Sequence, residues 1–373
     1  MKRIGILTMH KVVNYGSALQ AWATQEILTE LGYSPLIIDY IFPNSLQRRQ
    51  YKRKYLKDFL QWLLHFSQGF PYNKKKKKFE TFWHENFSLT KEYPSIESIQ
   101  NTPPQFDIFL VGSDQVWNHK NLKGDYTFFL DFDTSSSKCI SYASSFAQSQ
   151  INDLYKEKTK NLLKKFSAIS VREYNGYKII KDLLNKNSHI CVDPTLLLQK
   201  NDYLKLAQRS TLEFKKPYIL VYILQYAYNP YPFATQFIRS VYHKLGFDII
   251  CLDFSAKQRL GIRNMIHLHD SVGPEDFIYL FMNASLVITT SFHGTAFALN
   301  FNIPFYSIIN SESSSDDRML SLLRNCKAED RAIFTNDSNY CINPNMNFET
   351  INARLSSMRK DSISYLKTNI ENT

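Results

Sequence analysis

Short apolar runs alternate with longer stretches of mixed polarity along most of this 373-residue chain. Short apolar runs indicate buried strands, and apolar positions three or four residues apart indicate helices. In the first half, the pattern predicts strands at residues 4–8, 35–40, 106–111, 139–142, 168–171 and 190–192, and helices at 16–31 and 152–166. In the second half, it predicts strands at 218–224, 247–252, 286–290 and 304–309, and helices at 275–282 and from Gly294 onward.

Strands that alternate with helices predict parallel sheets joined by right-handed crossovers. Two such series, in a chain too long for one core, predict an α/β protein with two Rossmann-like domains facing a cleft. We place an N-terminal domain at residues 1–205, with a basic helical insert at about 41–100, and a C-terminal domain at 206–345. A C-terminal helix is expected at 346–373.

The positive charge of the chain is concentrated in one segment. Residues 41–79 contain eleven Lys and Arg against one acid, Asp58, while the net charge of the whole chain is +11. Aromatic residues such as Trp62 are interleaved with these cations, which is typical of a helix on an anionic membrane surface. A phosphorylated substrate or nucleic acid is an alternative partner, and a solvated loop beside a core-facing helix is the plainer interpretation. Among these partners, nucleic acid is the least favoured.

Membrane-spanning and metal-binding sequence signals are absent. No run of eighteen apolar residues occurs, and the first residues are interpreted as a strand and not as a signal peptide. The five cysteines are widely spaced and form no CxxC pair. We therefore expect a cytoplasmic protein, with the inner face of the cell membrane as a place of contact, and no metal or cofactor.

Polar residues follow several predicted strands at the edge where ligands bind in open α/β sheets. They are Asn14 and Ser17, Asp114 and Asn118, Arg172, Asp193, and the pair His293-Gly294. A histidine and an arginine beside two helix N-termini indicate a site for a small polyanion. The alternatives are ordinary ones: His293 caps a helix, and Asp114 is a loop or capping residue. The GxGxxG and GxxxxGK[ST] phosphate loops are both missing from the sequence.

These residues belong to motifs that together resemble the polysaccharide pyruvyl transferase family. The motifs run in order through about 310 residues: 14–20 (NYGSALQ), 112–118 (GSDQVWN), 141–146 (SYASSF), 169–173 (ISVRE), 192–195 (VDPT) and 291–294 (SFHG). Residues 273–275 (GPE) and Arg318 are weaker matches. The resemblance implies a two-domain fold similar to that of GT-B glycosyltransferases. It also implies transfer of pyruvate from phosphoenolpyruvate to two hydroxyls of a surface polysaccharide or its polyprenyl-diphosphate-linked precursor, which forms a cyclic ketal.

The chemistry of that reaction assigns hypothetical roles to individual residues. His293 is the candidate acid, Arg172 the candidate clamp on the donor's carboxylate or phosphate, and Asp114 the candidate base. The other donor-binding candidates are Ser291, Gly294, Thr295 and Arg318, and the acceptor-binding candidates are Asn14, Tyr15, Ser17 and Asn118.

One position departs from the family pattern. Better-known branches carry an arginine two residues before the motif histidine, where this chain has Ser291. A donor with a phosphate and a carboxylate needs about two cationic partners, so Arg172 needs help from Arg318 or from a lysine of the basic segment. Two other functions stay open: a glycosyltransferase that uses a nucleotide sugar, and a lipid-carrier or scaffold protein without activity.

Overall fold

The computed structural model describes residues 1–42, 66–225, 227–252, 260–262, 265–268, 271–312, 314–337 and 340–372. The N-terminal half contains the strands β1 (Arg3–Leu7), β2 (Ser34–Tyr40), β3 (Leu89–Tyr93), β4 (Ile108–Val111), β5 (Lys138–Ser141), β6 (Ser170–Val171) and β7 (His189–Ile190). Its helices are α1 (Tyr15–Glu30), α2 (Phe66–Asn86), α3 (Ile96–Asn101), α4 (His119–Leu122), α5 (Asp153–Leu163), α6 (Tyr174–Leu184), α7 (Pro194–Leu197) and α8 (Leu204–Ala207).

The N-terminal sheet is parallel and has the strand order β3-β2-β1-β4-β5. Apolar residues on both faces of β1 and β4 are buried, as expected for a parallel sheet covered by helices on both sides. The short pair β6-β7 continues beside β5 through single bridges such as Ser144 to Val171. Arg172 and Asp193 therefore follow these two short strands at the same sheet edge as the residues after β1 and β4.

The predicted insert at about 41–100 is wrong for its C-terminal half. Helix α2 leads into β3, and β3 pairs in parallel with β2, so residues 66–93 form the crossover of a βαβ unit. Phe79 and Phe82 of α2 are fully buried. The sequence pattern missed β3 because this edge strand, LTKEY, carries polar residues at its centre. The basic cluster at 48–57 lies outside the described residues.

The C-terminal domain repeats the architecture. Its strands are β8 (Tyr218–Tyr222), β9 (Asp248–Cys251), β10 (Met265–His267), β11 (Leu286–Thr289), β12 (Phe305–Ile309) and β13 (Ala332–Phe334), and its helices are α9 (Phe233–Leu245), α10 (Pro274–Asn283), α11 (Phe292–Phe301) and α12 (Arg318–Cys326). The sheet is parallel with the order β10-β9-β8-β11-β12-β13. Every strand predicted from an apolar run is present, and its ends differ by at most two residues.

One hydrophobic core is continuous between the two domains. It joins α1 of the N-terminal domain to α10 and α11 of the C-terminal domain. Tyr15 and Phe277 stack across this boundary with ring centroids 4.5 Å apart. This apolar contact fixes the relative positions of the two strand edges that face each other.

The last helix, α13 (Glu349–Glu371), returns to the N-terminal domain. Tyr365 donates a hydrogen bond to the Ser141 carbonyl, and Ser362 accepts one from the backbone N–H of Val192. Lys2 donates to the Ile370 carbonyl. In the described part of the chain, no helix is both long and apolar enough to cross a membrane.

Candidate functional site

A cavity of about 510 Å³ lies between the domains, at residues that directly follow β4, β8, β11 and β12. The N-terminal domain contributes Gln115, Asn118, Lys120 and Asn121, and the C-terminal domain contributes Thr290, Phe292, Asn310, Asp316 and Arg318, among others. The cavity therefore occupies the place where ligands bind in this class of sheet.

His293 lies in the first turn of α11, at the edge of the C-terminal domain that faces α1. Ser291 is the N-cap, and its side chain accepts a hydrogen bond from the Gly294 N–H at 3.3 Å. Gly16 of α1 faces the imidazole so closely that a Cβ at this position would lie 2.0 Å from His293 Nδ1. Position 16 therefore requires glycine because the histidine ring of the other domain occupies the space of a side chain.

Asp114 and Arg172 form a buried ion pair below this histidine. Arg172 Nη2 lies 3.2 Å from Asp114 Oδ1, and the Ser17 hydroxyl donates to Asp114 Oδ2 at 2.6 Å. The Arg172 side chain is 1% exposed. Its guanidinium also lies over the ring of Phe292, 4.3 Å from the centroid, and Phe292 in turn lines the cavity.

Asp193 connects the members of this cluster, although sequence reasoning left it out of the candidate site. Its Oδ2 accepts hydrogen bonds from Arg172 Nη1 at 2.6 Å and from the Ser113 hydroxyl at 3.0 Å. The same oxygen lies 3.7 Å from His293 Nε2. Its position after a strand and within the VDPT motif was the available signal. We call Asp114, Arg172, Asp193 and His293 the ionic cluster.

Both aspartates of the ionic cluster are held in their charged form. Burial alone would raise the pKa of Asp193, but the charges of His293 and Arg172 keep it well below its ordinary value. Burial likewise opposes ionisation of Asp114, and Arg172, His293 and the Ser17 hydrogen bond lower its pKa. The aspartates are thus permanent negative charges that hold their cationic partners in place.

Glu173 behaves differently. Its side chain is fully buried, and burial raises its pKa to about 7 despite the neighbouring Arg172. Glu173 Oε1 accepts hydrogen bonds from Ser145 and from the backbone N–H of Phe146. Its Oε2 and the Nε of Arg172 lie 4.0 Å apart, and neither has a hydrogen-bond partner among the described residues. This carboxyl group is therefore neutral in part of its population near neutral pH.

The two arginines proposed as anion clamps are both paired with carboxylates. Arg172 bonds to Asp114 and Asp193, and Arg318 makes a fork of two bonds to Asp316 at 2.7 and 2.5 Å. Arg318 lines the cavity. Arg172 does not line it, and its guanidinium instead lies against the ring of Phe292, which does. The clamp role of Arg172 stays a prediction, and it requires one of these ion pairs to give way when a ligand binds.

Other donor-side candidates shape the start of α11. Ser291 caps the helix, and a Cβ at Gly294 would lie 2.4 Å from Thr289 Oγ1. Thr295 is fully buried, and its hydroxyl pairs with the Ser307 hydroxyl and the Ser291 carbonyl. These residues therefore position His293. Like His293 itself, they do not line the cavity.

The acceptor-side candidates divide in a similar way. The prediction that Tyr15 binds the acceptor is corrected, because its ring is buried in the contact between the domains and its hydroxyl donates to the Val272 carbonyl. Asn14 is the N-cap of α1 and accepts from the Ser17 N–H, while Ser17 contacts Asp114. Asn118 lines the cavity, caps α4 and donates from Nδ2 to Gln115 Oε1 at 2.8 Å.

Gln115 is a cavity residue that sequence reasoning missed. Its Oε1 accepts from the amides of Asn118 and Asn121, at 2.8 and 3.4 Å. These two donors fix the orientation of the Gln115 amide. Its Nε2 donates to no described residue and is available to a ligand in the cavity. The described residues include no group of three or more His, Cys, Asp or Glu arranged to hold a metal ion.

The fold and the cleft define a two-domain α/β protein of the GT-B type. The chain belongs to the polysaccharide pyruvyl transferase family, whose sequence profile matches residues 14–312. The fold prediction and the family resemblance are both confirmed. No curated protein sequence matches the chain significantly.

Solved structures support the fold at low sequence identity. The UDP-GlcNAc 2-epimerase of Neisseria meningitidis bound to UDP-GlcNAc superposes with a TM-score of 0.52 and 9% identity, with 100% of both chains covered. The UDP-GlcNAc 2-epimerase of Methanocaldococcus jannaschii gives 0.52 and 12%, with 96% of this chain and 100% of that chain covered. S. aureus MnaA, in a structure with UDP, gives 0.53 and 11%, with 100% and 98% covered. At this identity the likeness concerns the fold alone.

Proposed function

We propose that this transferase moves the pyruvyl group of phosphoenolpyruvate onto two hydroxyls of a sugar, in a surface polysaccharide or its lipid-linked precursor. The observation that supports this most is His293 Nε2, a buried nitrogen without a hydrogen-bond partner among the described residues, beside the negative charge of Asp193. A protonated imidazole in that setting is suited to give a proton to a bound substrate.

The reaction needs one proton donor and an anion site. The acid protonates the methylene carbon of phosphoenolpyruvate, which becomes a methyl group, and the adjacent carbon becomes electrophilic. A first sugar hydroxyl adds to that carbon and loses its proton. The bond to the phosphate oxygen then breaks, phosphate leaves, and a second hydroxyl closes the ketal while releasing its proton to a base or to phosphate. In this scheme His293 supplies the first proton, and Asp114 is the candidate base for a hydroxyl. Neither residue lines the cavity, so the scheme requires both to become accessible when the substrates bind.

The anionic donor is proposed to bind at the C-terminal side of the cavity. Arg318 lines this side, and α11 and α12 both begin there, so that their positive N-terminal ends face the cavity. Lys120 adds a cation from the opposite wall. The Asp316 carboxylate that now holds Arg318 would be exchanged for the donor's phosphate or carboxylate.

The sugar acceptor is proposed to bind at the N-terminal side. Gln115, Asn118 and Asn121 form an uncharged wall of amides, and the available Nε2 of Gln115 can donate to a sugar oxygen. Amides of this kind suit hydroxyl groups, which both donate and accept.

The deciding experiment measures phosphate released from phosphoenolpyruvate in the presence of glycans and lipid-linked sugars, with the product's ketal methyl group followed by NMR. Phosphate release that depends on an acceptor, together with the methyl signal, is the expected result. Nucleoside diphosphate release from a nucleotide sugar, without reaction of phosphoenolpyruvate, would instead identify a glycosyltransferase. No turnover with any donor would favour a carrier or scaffold protein.

We also propose that the basic segment at 41–79 contacts clustered phosphates of an anionic membrane or of a polyprenyl-diphosphate acceptor. Lys74 and Lys77 of α2 are exposed and support this, while the cluster at 48–57 lies outside the described residues. Changing both lysines to Glu should weaken binding to anionic vesicles at low salt and have little effect at high salt. Lys156→Glu on α5, combined with Lys164→Glu directly after this helix, is the control of equal charge. If the unmodified protein does not bind such vesicles, the proposed membrane contact is wrong.

A further inference from the structure

We propose that Asp193 is the positioning residue of the active site, which holds the imidazolium of His293 by charge while leaving its Nε2–H to the substrate. This inference rests on the proposed function, in which His293 is the acid. The sequence places Asp193 after a strand but assigns it no catalytic or binding role. Its role follows from four contacts and one separation.

The carboxylate of Asp193 is held at both oxygens. Oδ1 accepts from the Thr195 N–H at 3.1 Å and from the Thr195 hydroxyl at 2.8 Å. Oδ2 accepts from Arg172 and from the Ser113 hydroxyl, and the side chain is fully buried. Because the partners come from three different segments of the N-terminal domain, the carboxylate cannot rotate away from His293. Its negative charge has a fixed position and is shielded from water.

The separation between Asp193 Oδ2 and His293 Nε2 is 3.7 Å. That distance is too long for a hydrogen bond but short enough for strong attraction between opposite charges. Nε2 has no hydrogen-bond partner among the described residues. The Asp193 carboxylate therefore lies beside Nε2 without accepting its proton, and this is the arrangement that a general acid needs before substrate arrives.

The other charged groups near His293 come from two further segments. Asp114, after β4, adds a second negative charge, and Arg172, after β6, adds a positive one that lies between the two aspartates. Phe292 and Gly16, which also lie close to the ring, carry no charge. Since Arg172 is shared by both carboxylates, removal of Asp193 alone leaves the imidazolium with less negative charge nearby.

The test compares the unmodified enzyme with Asp193→Asn and Asp193→Ser, both of which remove the charge. With less negative charge nearby, His293 loses its proton at lower pH, so the alkaline limb of the pH–rate profile should move down by about one pH unit or more. Turnover at alkaline pH should fall about tenfold or more, while a larger fraction survives at acid pH. A purely structural role would lower the rate equally at every pH and would overturn the proposal.

A second readout does not depend on activity. In protein with isotope-labelled histidine, NMR should show His293 losing its proton at lower pH in both variants, its signal being assigned by its loss in His293→Ala. An unchanged titration would overturn the proposal even if turnover falls. If the unmodified protein fails to catalyse the transferase reaction while the His293 titration still differs between it and the Asp193 variants, the proposed function is wrong and the charge coupling stands.

Asp39→Asn is the matched control. Asp39 is also a buried carboxylate paired with a histidine, because its Oδ1 lies 3.0 Å from His10 Nε2. This change should leave both the pH–rate profile and the His293 titration in place. If both Asp193 variants fail to fold while Asp39→Asn folds, Asp193 is a structural residue and the proposal is wrong.

Discussion

Two buried histidine–aspartate pairs lie among the described residues, each with its aspartate in the N-terminal domain, and they differ in their hydrogen bonds. His10 Nδ1 contacts the Thr8 carbonyl at 3.1 Å, and its Nε2 contacts Asp39 at 3.0 Å. Lys11 completes the Asp39 pair at 2.6 Å. His293 faces Asp193 at 3.7 Å and arrives from the other domain. In one pair both ring nitrogens have protein partners, and in the other a buried nitrogen has none among the described residues.

The difference teaches which pair is suited to chemistry. Buried polar atoms in folded proteins nearly always have partners, so an atom without one calls for an explanation. At His10 both ring nitrogens are occupied, which indicates a structural role. At His293 the unpartnered Nε2 lies beside a fixed negative charge. A histidine next to a carboxylate is therefore insufficient to indicate a functional site, and the partners of each ring nitrogen have to be compared as well.

The largest expected effect separates the two histidines directly. His293→Ala should lower turnover by about 10²-fold or more with the fold intact, because it removes the proton donor. His10→Ala should instead lower the free energy of unfolding by about 1–3 kcal/mol, because it leaves Asp39 without one of its partners. Steady-state rates and urea unfolding of both variants measure this. Near-normal turnover of His293→Ala would refute the functional assignment of that pair.

The cations of the two pairs should differ in their contribution to stability. Arg172→Ala leaves two buried carboxylates, Asp114 and Asp193, without their arginine partner, so the free energy of unfolding should fall by about 3–5 kcal/mol. Lys11→Ala should cost about 1 kcal/mol or less, because Lys11 is partly exposed and its partner keeps His10. Chemical unfolding gives both values. Equal losses would show that burial of the ion pair does not distinguish the two regions.

Two carboxyl groups should give stability opposite dependences on pH. The pKa of Glu173 is raised by burial to about 7, so its contribution is complete below about pH 4.5 and is lost as pH rises through 7. Burial opposes ionisation of Asp39, but His10 and Lys11 lower its pKa, so its contribution is lost as pH falls. Glu173→Gln should therefore remove up to about 3 kcal/mol of the stability difference between pH 5 and 8. Unfolding midpoints measured across that pH range test this prediction. A variant whose stability changes with pH as much as that of the unmodified protein would contradict it.

The smallest expected effect concerns how His293 is held. Gly16→Ala places a Cβ where the imidazole lies, so the ring must move, and turnover should fall about tenfold, since a displacement of about 1 Å is costly in an active site. In the His293→Ala background the same change should cost little, because the space is then empty. A double-mutant cycle on turnover measures the coupling. Additive losses would mean that Gly16 matters for another reason.

Much of the fold could be predicted because the strands are buried on both faces and appear as apolar runs. The predictions failed where that signal is missing, as at β3, whose polar centre lies at a sheet edge. Helices such as α6 and α9 were not predicted, although their apolar residues recur at helical spacing and the signal was present in the sequence. The motif residues Asp114, Arg172 and His293 were predicted, and the structure brings them together.

The partners of these residues could not be predicted. Nothing in the spacing of the sequence shows that Arg172 is already neutralised twice, or that Phe292 covers it, because these contacts join segments more than twenty residues apart. Tyr15 was misassigned because its motif position is equally compatible with a ligand contact and with packing between domains. Gln115 was missed because the orientation of its amide depends on two neighbouring side chains.

The return of α13 to the N-terminal domain has a consequence for synthesis on the ribosome. The N-terminal domain is the first to emerge, yet Tyr365 and Ser362 bind its edge beside β5 and β7. These residues are made only after the whole C-terminal domain. The early product therefore exposes an apolar surface, which includes the contacts of Leu366 and Ile370, until translation reaches the last helix. The domain that is translated first is completed last.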